Sequence, residues 1–79
     1  MRLSKQFIDS MHTSRERVLN LSEAKAFNNI INAKTPRAER KAINELSVLF
    51  GFMVLQAIDK YVIYKVGNIV YKMEVTINN

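Results

Sequence analysis

Apolar and polar residues change their period once along this chain: up to Phe50 they recur at helical spacing, and from Phe52 to Ile77 they alternate. The order is therefore helices first and sheet second. Ser4 can cap a short helix that places Phe7, Ile8 and Met11 on one stripe and ends near His12. Thr13-Ser14-Arg15-Glu16 has the form of a capping box, while residues 17–21 also fit a short strand; the helical reading is preferred. Ser22 offers the next N-cap, and Ala24, Phe27, Ile30 and Ile31 mark the buried side of a helix that fades over residues 32–34. Thr35-Pro36 is the clearest helix start, because a threonine cap followed by proline at the first helical position wastes no hydrogen bond. Ala38, Ala42, Ile43, Leu46, Leu49 and Phe50 keep the helical period to the end of that helix, where Gly51 can take the left-handed closing conformation.

Two-residue turns at Asp59-Lys60 and Gly67-Asn68 thread the remainder as a three-stranded antiparallel meander. That register sets Val62 opposite Met73, Tyr64 opposite Tyr71 and Val66 opposite Ile69, with Met53, Leu55 and Ala57 completing an apolar face. A one-residue slip in either hairpin carries charged or amide groups into it. The other face mixes Val54, Ile58, Tyr61, Ile63 and Val70 with Gln56, Lys65, Lys72 and Glu74. The expected fold class is α+β, about three N-terminal helices packed on one face of a C-terminal three-stranded antiparallel meander. It forms a single domain over residues 1–79, helical over 4–50 and sheet over 52–77. A single layer of helices covers one face, so the mixed face is expected to remain an interaction surface, with the N-terminal helix the only element available to cover part of it.

Seventy-nine residues without cysteine can bury only about 60% of the unfolded surface, which makes roughly 5 kcal/mol of net stability the expectation and a homodimer a natural supplement. The chain has no apolar run of signal-peptide or membrane-spanning length, so a cytoplasmic protein with no membrane partner is expected. Asn20-Leu21-Ser22 matches a glycosylation sequon only by chance on that reading. The net charge of +5 is uneven: residues 1–41 hold nine Lys/Arg against four Asp/Glu, and residues 42–79 hold three of each. A basic surface in the first half suits a polyanion or an acidic protein.

Catalysis needs a nucleophile beside a base, paired carboxylates or a metal, and with one histidine and no cysteine none of these is assembled. Asp9, His12 and Glu16 fall at helical spacing, but a break at Thr13 spoils the face they need as metal ligands. No glycine-rich phosphate loop occurs. The reading is a non-enzymatic protein with no cofactor, metal or small-molecule substrate. Tyr61 beside Lys65 and Lys72 is too little aromatic surface for a single-strand platform.

Helix, helix, a turn over residues 32–35, a third helix with Thr35-Pro36-Arg37-Ala38-Glu39-Arg40-Lys41 at its start, then Gly51-Phe52 leading into a hairpin: this order resembles winged helix-turn-helix DNA-binding domains. The resemblance implies that Arg37, Arg40, Lys41 and Asn44 occupy the recognition helix and that residues 17–21 would be the family's short strand. The turn at Asp59-Lys60 is shorter and more neutral than a wing. A second resemblance, through Gly51-Phe52 opening a three-stranded sheet, is to small toxin domains of the double-stranded-RNA-binding type. Their strand histidine is missing from Lys60-Tyr61-Val62-Ile63-Tyr64, so it implies no ribonuclease activity here.

The function expected is DNA binding by a small transcription-regulating protein through Lys34, Arg37, Arg40, Lys41 and Asn44, the cations on phosphates or base edges and Asn44 on an adenine. The alternative is a viral or mobile-element inhibitor that binds a host protein through Val54, Ile58, Tyr61, Ile63 and Val70 or through a sheet edge.

Overall fold

The computed structural model describes residues 2–77, in the order α1 (Lys5–Ser10), β1 (Thr13–Leu19), α2 (Leu21–Ile31), α3 (Pro36–Phe50), β2 (Met53–Ile58), β3 (Tyr61–Val66) and β4 (Ile69–Ile77). Both long helices begin on caps. Asn20, not Ser22, caps α2: its side chain accepts from Glu23 N, and the Glu23 carboxylate accepts from Asn20 N in return. Thr35 accepts from Ala38 N at the start of α3, with Pro36 at its first position, and Gly51 closes the helix at φ 81°.

The sheet has four strands, not three, in the order β1-β4-β3-β2, and β1 runs parallel to β4. The meander is present with Val62 opposite Met73, Tyr64 opposite Tyr71 and Val66 opposite Ile69, but it is not the whole sheet. Residues 13–19 form β1, where the capping-box pattern favoured helix. Tertiary pairing overrides the local preference here, because β4 would otherwise leave a long open edge and one added strand satisfies it. Thr13 has no helix to cap, and the neighbouring Ser14 hydroxyl donates to Lys72 O at 2.8 Å and lies 3.2 Å from the Tyr64 hydroxyl.

A second difference lies in β2. Val54 pairs with Tyr64 and Gln56 with Ile63, so Leu55 is the extra residue of a bulge. The bulge shifts the strand's phase by one: Val54 and Ala57 enter the core, while Met53 and Leu55, expected there, are exposed. Val54 N is held in this position by a hydrogen bond to Ser47 Oγ of α3.

One core lies between α2, α3 and the sheet, built from Phe27, Ile30, Ala42 and Leu46 against Val54, Val62, Tyr64, Met73 and Val75, with Leu19 of β1. Burial of these side chains at about 25 cal/mol per Å² is what holds the helices on the sheet. An aromatic row, Phe50, Phe52, Tyr64 and Tyr71, runs along its margin with successive ring centroids 5.2, 4.6 and 5.3 Å apart.

The third correction concerns the other face. Ile63 alternates with Val62 and Tyr64, so it points away from α2 and α3, yet it is 0% exposed. The segment leading through α1 covers it. Lys72, which registers with Ile63, is buried on that face and donates from Nζ to Ile8 O at 2.7 Å and Met11 O at 3.2 Å, the carbonyls at the end of α1. Its ammonium also stands 4.2 Å from the Tyr61 ring centroid. Gln56, on the Ile63 partner position of β2, accepts from Leu3 N and donates to Leu3 O, two bonds that dock the chain ahead of α1. The architecture is therefore three layers, α1, sheet, then α2 and α3, rather than helices on one face. Six residues cannot hold a helix alone, so these polar anchors and the buried Ile8 carry α1. Lys72→Met is expected to cost about 2 kcal/mol and to speed hydrogen exchange across residues 5–11 well before global unfolding. Unchanged protection in α1 would show that the amine does not hold it.

None of the described helices is long and apolar enough to cross a membrane.

Candidate nucleic-acid interface

The period of α3 turns Ala42 and Leu46 inward and leaves Arg37, Arg40, Lys41, Asn44 and Val48 on the outer side. Lys34, exposed in the loop before the helix, extends that line. The five residues expected to contact DNA are thus brought together on one exposed stretch. Packing adds a sixth: Lys25 of α2 borders the same depression as Arg37, Arg40 and Lys41. Lys25 carries no sequence signal linking it to α3, because only the way the two helices pack sets it beside them.

Charge at this face is not neutralised locally. Asp9 and Asp59 lie beside Lys5, Glu23 beside Arg17, Glu39 beside Arg2 and Glu74 beside Lys60. Among the described residues Lys25, Lys34, Arg37, Arg40 and Lys41 form no ion pair. Glu39, the acidic residue in the first turn of α3, is turned aside by a 2.7 Å contact with Arg2. Glu45 is the one carboxylate bordering the depression between α2 and α3.

α3 stands out as a ridge. Arg40, Asn44 and Val48, spaced four residues apart, border both the depression towards α2 and the one towards β2. A helix of fifteen residues, about 22 Å long, exposed along such a line has the dimensions of an element that enters a DNA major groove.

The sheet-face residues fare differently. Val54 and Ile63 are buried, Val54 under α3 and Ile63 under α1; Ile58 and Tyr61 are half-buried, and only Val70 is exposed. They form no common surface: Val54 and Ile63 are not available for contact from outside, and what is left of the expected face is Val70 with parts of Ile58 and Tyr61. The β2 edge is also restricted, by the Leu55 bulge, the Val54 N bond to Ser47 and the docking of Leu3 on Gln56. Asp9, His12 and Glu16 share no helix, since α1 ends at Ser10, and no group of three potential metal ligands occurs among the described residues.

Behind the basic face, Arg17 of β1 ties three elements together. Its Nη2 lies 2.7 Å from Glu23 Oε2, and its guanidinium carbon is 4.7 Å from the Phe50 ring centroid. Burial opposes ionisation of Glu23, but the Arg17 hydrogen bond, the Asn20 N–H and the Arg17 charge outweigh it and hold the carboxyl below its usual range. This pair fixes the start of α2, and with it the position of Lys25.

Comparison of the chain with family models, with curated proteins and with solved structures finds no match.

Proposed function

We propose that the protein binds duplex DNA through the outer face of α3, with Lys25 and Lys34 flanking it. The observation that carries this reading is where the cations stand. Arg37, Arg40 and Lys41 crowd the N-terminal half of α3, with Lys34 just ahead, and a helix N-terminus carries the positive end of the macrodipole. A cation in that first turn, Arg37, lowers helix stability, and among the described residues neither it nor Arg40 or Lys41 forms an ion pair that would offset its charge. Charge that is unfavourable for the fold is explained by a ligand that needs it, and a row of phosphates does.

The groups divide by reach. Lys25, Lys34, Arg37 and Lys41 neutralise phosphates, whereas Arg40 and Asn44 on the crest face the base edges, arginine suiting guanine and asparagine suiting adenine. Binding of this kind releases counterions. With these four cations on phosphate, log affinity falls against log salt with a slope of about −3 to −4. The triple variant Arg37→Ala/Arg40→Ala/Lys41→Ala is expected to reduce that magnitude by about 2, through Arg37 and Lys41, and to bind far more weakly at low salt. No binding by the wild type to any duplex at low salt, or equal binding by the triple variant, leaves α3 a solvated face.

Arg37→Glu replaces an unfavourable charge in the first turn with a favourable one, so it is expected to raise stability by about 0.3–1 kcal/mol while weakening duplex binding. A variant that loses stability instead would remove the reason given for the cations.

A further inference from the structure

Phosphate contacts leave one feature of this surface unused. The depression between α2 and α3 has an apolar side: Ala26 lies buried at its base, Leu49 is 44% exposed and Val48, at its lip, is 81% exposed. Lys25, Arg37 and Lys41 border the same depression. Sugar-phosphate gains little from such an apolar wall, and a β-branched side chain left mostly in water gains nothing for the monomer.

We infer that this depression is a docking site for an acidic amphipathic helix of a partner protein. The groove between two packed helices accepts a third through ridges and grooves, as helix-in-groove recognition does elsewhere. An apolar stripe on the incoming helix covers Val48, Leu49 and Ala26, and carboxylates flanking that stripe meet Lys25, Arg37 and Lys41. Glu45 borders the groove as its one carboxylate and sits on α3 between Lys41 and Leu49, which favours a partner whose carboxylates lie towards the N-terminal half of α3. A second copy of this chain is a poor occupant, because its own α2 and α3 would bring cations against cations. The duplex and the acidic helix share Arg37 and Lys41, so they exclude one another; the apolar contacts belong to the helix alone.

The probe is a fluorescent synthetic peptide of about five helical turns, with leucine along one stripe and glutamate elsewhere, titrated with the whole chain at low and at physiological salt. Saturable binding that weakens with salt is expected. Val48→Ser/Leu49→Ser is expected to weaken it about tenfold, and Leu49→Ser alone, off the crest that faces the duplex, to weaken it while leaving duplex affinity unchanged. Lys25→Gln/Lys41→Gln is expected to weaken it and flatten its salt dependence. Thermal melts of each variant establish that it is folded; Val48→Ser alone, at so exposed a position, serves if the double variant is not. No saturable binding overturns the proposal. So does equal binding of a permuted peptide of the same composition without an apolar stripe, or an unchanged affinity in the serine variant, since either reduces the contact to attraction between polyanion and polycation. The duplex titration is a separate arm, and its failure leaves the peptide result standing.

Discussion

Ile63→Lys is expected to destabilise the protein as severely as Tyr64→Lys, each by about 3 kcal/mol or more. The two side chains point to opposite faces of β3, and in a sheet with one solvated face the outer substitution would be nearly neutral. Here both faces are covered: Tyr64 lies under the α3 side and Ile63 is 0% exposed beneath α1. The environment of Ile63 is worse for a lysine than its apolar character alone suggests. Lys72 registers directly across from it and already donates to the carbonyls of Ile8 and Met11, so a second ammonium there meets a like charge. Against a total of roughly 5 kcal/mol, such a loss leaves a large unfolded fraction. Urea melts of both variants measure it. Ile63→Lys within about 1 kcal/mol of wild type, beside an unfolded Tyr64→Lys, would mean that α1 does not hold its face.

Glu23→Ala is expected to cost about 3 kcal/mol, the largest loss from any polar substitution on the α2–α3 side. The carboxylate is 3% exposed, accepts from Asn20 N and pairs with Arg17, whose Nε is itself buried with no partner among the described residues. Removing it leaves the half-buried Arg17 without its carboxylate partner and opens the cap of α2 together. Glu23→Gln keeps an acceptor for Asn20 N and is expected to lose less. The pH dependence has a definite sign. Glu23 titrates below its ordinary range in the fold, so its stabilisation is fully present above the unfolded value and is lost as pH falls through the lower folded one. Unfolding free energy of the wild type should therefore drop on acidification below about pH 4.5, and the Gln variant should lack that component. Parallel acid profiles for the two proteins would show that the pair is not coupled to folding. Because the same pair positions α2, Glu23→Gln should also shift duplex affinity slightly through Lys25, whereas Arg40→Ala shifts it with stability unchanged.

Short-range rules settled from the sequence whatever adjacent residues decide together. The Thr35-Pro36 start and Gly51 end of α3 follow from capping and backbone freedom within a few residues. The meander register follows from the turn residues at Asp59-Lys60 and Gly67-Asn68, since a slip would move polar groups into an apolar face. The outward placement of Arg37, Arg40, Lys41 and Asn44 follows from the helical period once Ala42 and Leu46 face inward. What only the tertiary structure decided depends on residues far apart in the chain. Residues 13–19 carry a fair helix-capping pattern, and the unpaired edge of β4, more than fifty positions away, makes them a strand. The Leu55 bulge answers to Ser47 and Tyr64, and no alternation within β2 announces it. Lys72 and Gln56 look like solvent-facing residues of an open sheet face until the segment from Leu3 to Met11 lies over them and turns their polar ends into anchors for its backbone. Lys25 joins the basic face for the same reason: local sequence fixes the direction a side chain takes from its own helix or strand, and only the packing of distant elements fixes what it meets there.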